Sequence, residues 1–228
     1  MARQPEPEYM ADAAEAAAYA GADFSEVNQA FAERLVELGA EQGVADDARA
    51  VDLGTGPGDI PLRVAALRPG WQIIAVDASK AMIELARQDA RLGSDGSHGR
   101  TPRVRFVVAD AKSTGLPGHT FSVVFSNSIL HHVNDTAALW AEVRRLAAPG
   151  ALVLFRDLAR PESPEAVRRI VDTYAADESD LLREEYYRSL LSSYTPGEIR
   201  RQLTAAGLDS LAVATATDRH VDVFGVLD

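Results

Sequence analysis

The sequence contains no cysteine. That excludes a disulfide framework, a thiolate metal site and a cysteine nucleophile. No stretch approaches the ~20 apolar residues needed to cross a bilayer. The first ten residues carry Arg3, Glu6 and Glu8 instead of an apolar run, so neither a signal peptide nor a membrane anchor is expected. Basic residues are in deficit: 23 Lys and Arg stand against 34 Asp and Glu, a net charge of −11. The arginine pairs at 144–145, 168–169 and 200–201 fall in helical patterns with acidic or apolar neighbours, which suits solvated helix faces. Nucleic acids and anionic membranes are therefore poor partners. A small-molecule partner stays compatible, because a pocket can differ from the net charge. The expectation is a cytoplasmic protein without a metal site.

With 228 residues, 46% of them hydrophobic and 25% charged, the chain suits one globular domain with additions. The N-terminal part reads as helix, first over 9–20 and then, after Gly21, from a cap at Ser25. Phe24, Val27, Phe31, Leu35 and Leu38 recur there at helical spacing, and Gly39 and Gly43 are read as the end. Strands are then expected over 48–53, 71–76, 104–108, 121–126 and 151–155. Helices over 60–67, 79–92 and 135–148 alternate with them, the last closed by a Pro149–Gly150 turn, and residues 93–102 read as a polar loop. This rhythm means βαβ units and a mainly parallel sheet. Three helices follow over 165–176, 179–192 and 195–206. The last has Thr195 as cap, Pro196 at its first position, Glu198 at its third and Gly207 beyond its end. Strands over 211–215 and 220–227 complete an antiparallel pair.

The expected fold is thus α/β. It is a Rossmann-like, doubly wound, seven-stranded sheet, mostly parallel with an antiparallel last strand. N-terminal helices and a helical insertion between strands 5 and 6 are added to it. Within one domain, residues 1–45 form an N-terminal cover, 46–158 a ligand-binding core, 159–207 the insertion and crossover, and 208–228 the terminal strand pair.

The most informative stretch is VDLGTGPGD at 51–59, between the first strand and the first helix of the core. Its glycines allow a tight turn and a close approach to a ligand. The dinucleotide spacing G-x-G-x-x-G would put a third glycine where Asp59 stands. A carboxylate at that helix start disfavours a pyrophosphate. Asp77 ends the second strand, where a carboxylate can accept both hydroxyls of a ribose. Asp110 ends the third, where an acceptor can meet the amine of a base. Helix capping and ordinary turn chemistry are the plainer readings of these two aspartates.

Together VDLGTGPGD, AVDASKAMIELAR, VRFVVADAKSTGLP, FSVVFSNSILHHVND and RRLAAPGALVLFRD resemble the class I S-adenosylmethionine-dependent methyltransferases over roughly residues 50–150. They are nearest to the small-molecule branch that includes ubiquinone and menaquinone C-methyltransferases. The resemblance implies S-adenosylmethionine as cofactor. It places Gly54, Thr55, Gly56 and Gly58 in the cofactor loop, Asp52 near the cofactor's amino group and Asp77 at the ribose. Ala78 and Met82 would pack on the adenine, Asp110 and Ala111 would meet its amine edge, and Asn127 would line the floor.

Methyl transfer from a sulfonium is an in-line displacement for which the protein mainly aligns the reactants. A base is needed only if the acceptor must lose a proton. His131 and His132 are candidates for that base, alongside a purely structural turn. A metal bound by the pair is not expected, since no acidic partner stands at ligand spacing. Tyr9, Tyr19, Tyr186, Tyr187 and Tyr194 are candidate contacts to a small organic acceptor. Residues 165–193 are expected to form a lid and, with 9–31, to enclose that acceptor. Two other functions fit the same residues: a cofactor-using enzyme that does not move the methyl group, and a non-catalytic binding module.

Overall fold

The computed structural model describes residues 1–8, 24–92 and 103–227, with the backbone alone at 91 and 92. The helix expected over 9–20, the loop over 93–102, and Tyr9 and Tyr19 lie outside the described residues. Helix α1 (Ser25–Glu41) leads into β1 (Arg49–Leu53), α2 (Asp59–Leu67), β2 (Gln72–Asp77), α3 (Lys80–Leu92) and β3 (Val104–Val108). Then come β4 (Phe121–Asn127), α4 (Thr136–Leu146) and β5 (Ala147–Leu158). Helices α5 (Pro164–Tyr174), α6 (Asp180–Ser192) and α7 (Pro196–Ala205) precede β6 (Ala212–Thr215) and β7 (His220–Leu227).

The seven strands form one sheet in the order β3-β2-β1-β4-β5-β7-β6. Pairs among the first five are parallel, and β7 runs antiparallel to both β5 and β6. The expected doubly wound, mostly parallel architecture is present. Alternation along β1 shows how the layers are built. Val51 and Leu53 join the core under α4 and α7, with Leu139, Trp140, Val143, Ile199 and Leu203. Ala50 joins the opposite core with Phe31 and Leu35 of α1 and Val64 of α2. Chain order reverses between β1 and β4, so the loops after these strands diverge and leave a crevice at their carboxyl ends.

Three local expectations are corrected. Pro149 and Gly150 are not a turn after α4 but lie within β5. The register between β4 and β5 shifts from Phe121↔Ala147 to Val123↔Leu152, a bulge that absorbs the extra residues; Gly150 takes φ 77° there. Ser25 is not a cap but the first helical residue, and Phe24 occupies the cap. Gly39 does not end α1 but lies buried inside it, because Trp71 packs where a side chain would project.

Helices α5 and α6 have their own small core of Leu158, Val167, Val171, Ala175, Leu190 and Leu191. Through Leu158 this cluster joins the two helices to the end of β5. The crossover role falls to α7, whose start is a full capping box between Thr195 and Glu198. No helix among the described residues is long and apolar enough to cross a membrane.

Gly58 supports the loop from below. It has φ 86°, and a Cβ there would stand 2.7 Å from Phe106 Cε1 and 2.8 Å from Ala86 Cβ. Gly58→Ala combines a left-handed backbone with overpacking and should cost about 2–4 kcal/mol of stability. Chemical denaturation measures this directly, as a lower midpoint at unchanged slope.

Candidate functional site

The crevice at the ends of β1, β2 and β4 is a cleft. Its walls include Asp52, Gly54, Thr55, Gly56, Asp77, Ala78, Met82, Asp110, Ala111 and Asn127. Residues 25 to 75 positions apart in sequence thus meet at one place, as the expected cofactor site required. Gly58 is the exception. It does not line the cleft, because its missing side chain makes room for Phe106 and Ala86.

The loop after β1 is fixed from behind. The N–H groups of Gly54 and Thr55 both donate to the Val76 carbonyl, at 2.9 Å each. The Gly56 N–H donates to Asp77 Oδ2 at 2.8 Å, and the Ser79 N–H donates to Asp77 Oδ1 at 2.8 Å. One carboxylate therefore links the glycine loop to the start of α3. Gly56 has φ 55°, and no atom lies within 4 Å of where its Cβ would be. The bare backbone there faces open space, a cradle that a ligand can fill.

Asp52 and Thr55 are buried at the base of the cleft, yet Asp52 Oδ2 and Thr55 Oγ1 have no hydrogen-bond partner. A buried carboxylate oxygen left unpaired is costly. Burial pushes the Asp52 carboxyl up to about 7, with the Thr55 hydroxyl opposing and the Asp77 charge reinforcing the shift. Burial also raises Asp77 above its ordinary value, against the Ser79 and Gly56 N–H groups. Asp59, Asp110 and Glu8 add further acidic groups to the lining, against one lysine, Lys112. Such a cleft suits a ligand that carries positive charge and has no phosphate.

Several lining residues had no signal in the local pattern. Lys112 Nζ contacts Glu8 Oε2 at 2.8 Å and Asp110 Oδ2 at 3.2 Å. The Asn134 N–H donates to Glu8 Oε1 at 3.0 Å. Residues 1–8 are thereby strapped across the mouth. Arg3 extends the strap, donating to the carbonyls of Ser192 and His131 and stacking 4.2 Å from the centroid of the Tyr194 ring.

A second chamber of about 330 Å³ adjoins the cleft and shares Phe24, Asn28, Asn127, Ser128 and His132 with it. Val27, His131, Leu158, Tyr174, Leu182 and Tyr186 are among its other walls. Phe24 and Val27 therefore face this space and not the core that their helical spacing suggested. The tyrosines expected to contact an acceptor fall in different places. Tyr186 lines the chamber, whereas Tyr187 packs with the cover helices. Tyr194 lines a different groove, between α4 and α7, and its hydroxyl donates to the Val133 carbonyl at 2.7 Å.

His131 Nδ1 donates to Asp157 Oδ1 at 2.6 Å, and Asp157 also accepts the N–H groups of Leu130 and Leu158. Burial lowers His131, but the charges of Asp157 and Glu6 outweigh it and hold the imidazole above its ordinary range. Burial and the neighbouring His131 charge pull His132 down to about 3. Asp157 had no assigned role from sequence, although it ends β5 in the same way that Asp77 ends β2.

Residues 51–155 match the family model described as a methyltransferase domain. Over that stretch the chain is similar to that family, and the fold is the one the solved methyltransferase structures share. The trans-aconitate 2-methyltransferase of Methylobacterium radiotolerans is 34% identical over 115 residues, which is 49% of this chain and 40% of that one. The malonyl-[acyl-carrier protein] O-methyltransferase of Geobacter sulfurreducens is 29% identical over 205 residues, or 88% of this chain and 70% of that one. A crystal structure of a SAM-dependent methyltransferase from Aquifex aeolicus superimposes with a TM-score of 0.67 at 17% identity. That match covers 95% of this chain and 99% of the other. The chain spans less than half the length of the trans-aconitate enzyme.

Asp52 gives the cleft a pH signature. Its pKa in the folded chain is above the unfolded value near 4, so its contribution to stability is complete below pH ~4 and is lost as pH rises through about 7. Asp52→Asn should therefore melt near the wild-type temperature at pH ~4 and above it at pH ~8. Thermal unfolding across that range is the measurement.

Proposed function

We propose that the protein transfers a methyl group from S-adenosylmethionine to a small organic acceptor held in the chamber beside the cleft. The observation that carries this reading is the buried Asp52 carboxylate, whose Oδ2 has no partner, in the same cleft as the open Gly56 backbone and Asp77. When bound, S-adenosylmethionine supplies an electrophilic methyl group on a sulfonium. Asp52 would pair with the ammonium of its amino-acid end. Asp77 would accept the ribose hydroxyls on lone pairs left free by its two backbone donors. Ala78 and Met82 offer an apolar wall for the adenine, and Asp110 and Ala111 close its far edge.

The chamber supports the choice of acceptor. Its walls mix aromatic, apolar and charged side chains, and its size suits a small molecule instead of a polymer. It shares Asn127, Ser128 and His132 with the cleft, so an acceptor there would be held next to the cofactor and away from bulk water. The cover α5–α6 and the strap at 1–8 would govern entry.

Calorimetry with S-adenosylhomocysteine, followed by mass spectrometry of an acceptor panel, tests the reading. Asp77→Ala should weaken binding by about 1–3 kcal/mol, the loss of hydrogen bonds to a charged group. Unchanged affinity would remove Asp77 from the site. A folded protein that binds the cofactor but methylates nothing in a broad panel would favour the binding-module alternative. On ligand binding, hydrogen exchange should slow in 164–192 and leave α7 unaltered. Equal protection of the cover with and without ligand would show that it belongs to the fixed core.

A further inference from the structure

The strap brings a carboxylate to the two histidines. Glu6 Oε1 lies 3.6 Å from His131 Nε2 and 3.2 Å from His132 Nδ1. All three donor atoms lie within 4.8 Å of one another. Four ligands about an ion at 2.0–2.1 Å in a tetrahedron are about 3.3 Å apart. The two Glu6 distances straddle that edge length; closing the three donors on one ion also requires His132 Nδ1 to give up its 3.3 Å contact with the Pro7 carbonyl.

We propose that Glu6, His131 and His132 bind a divalent transition-metal ion of the zinc class. Two imidazoles and one carboxylate are a donor set that zinc accepts, and three protein ligands leave the fourth position open. The chain also supplies the supporting contact that such a site needs. Asp157 accepts the Nδ1 proton of His131, which fixes the tautomer and leaves the Nε2 lone pair towards Glu6. The backbone N–H groups of Leu130 and Leu158 hold Asp157 in turn. The positive charge of Arg3 nearby is committed to the carbonyls of His131 and Ser192 and to the Tyr194 ring.

His131 and His132 both line the chamber, and Ser189, another wall residue, donates to Glu6 Oε1 at 3.2 Å. The open position of the ion is therefore available to an oxygen or nitrogen of a molecule in the chamber. The ion would orient that atom and polarise it. The alternative is that Glu6 merely pairs with a charged histidine. Ion binding by itself does not depend on the methyl-transfer reading, so either can fail alone.

The test uses the full chain, stripped with a chelator and dialysed against Zn²⁺ or Co²⁺ at about pH 8, to limit competition from protons. Retained metal is counted by atomic emission, and the visible spectrum of the Co²⁺ form is recorded. Retention of one equivalent of Zn²⁺ and an intense tetrahedral Co²⁺ spectrum are expected. Glu6→Gln and His132→Asn should each weaken Zn²⁺ at least tenfold, whereas His119→Asn, outside the cluster, should not. No retained metal overturns the proposal, as does equal affinity in the wild type, Glu6→Gln and His132→Asn, the result that a simple ion pair predicts. If a variant fails to fold, the wild-type Co²⁺ spectrum decides: a weak six-coordinate spectrum overturns the site.

Discussion

A carboxylate buried without a partner is expensive, and this protein places one at the centre of its sheet. Asp52 is the next-to-last residue of β1, where the chain order reverses, and its raised pKa records the cost of that placement. Everything around it can be read as support. The loop after it is tied to Val76, Asp77 ties the loop to α3, and Gly58 lets the base of the loop sit down on Phe106 and Ala86. On the proposed reading, the ammonium of a bound ligand would remove that cost. Strain of this kind at a site is expected where function overrides stability.

The surrounding elements divide the work. The ends of the parallel strands and helices α2 and α3 build most of the cleft, while β5, β7 and the cover helices build most of the chamber, and α1 contributes to both. The two spaces meet along the turn after β4, at Asn127 and Ser128. Residues 1–8 connect them, with Glu8 at the cleft and Glu6 at the histidines. One short segment therefore touches both spaces and the cover, through Arg3 and Ser192.

The parts of the site legible in sequence were those written in local grammar. A glycine loop after a strand, and carboxylates at successive strand ends, identify their positions without knowledge of the fold. Contacts between distant segments were not legible. Nothing near 131–132 in sequence announces Glu6, which lies more than 120 residues away, and so no metal site was expected. Asp157 was within reach, since it ends a strand as Asp77 does, but its partner is set by the loop after β4. Gly58 shows that a glycine in such a loop can also serve packing, which only the positions of Phe106 and Ala86 reveal. Phe24 and Val27 fit one apolar helix face by spacing, yet the helix begins over an open chamber. Pro149–Gly150 has turn chemistry, and the pairing of β4 with β5 overrode it.

The central claim is that Asp52 receives a positive charge from the ligand. Calorimetry of S-adenosylhomocysteine binding near pH 7, repeated in buffers of different ionisation enthalpy, measures the protons exchanged. The account predicts net proton release on binding, because the ligand ammonium draws Asp52 from a pKa of about 7 to a lower one. It also predicts that methylthioadenosine, which lacks that ammonium, binds with less release. Binding of both ligands with no proton exchange, or no binding by the folded chain, would contradict it.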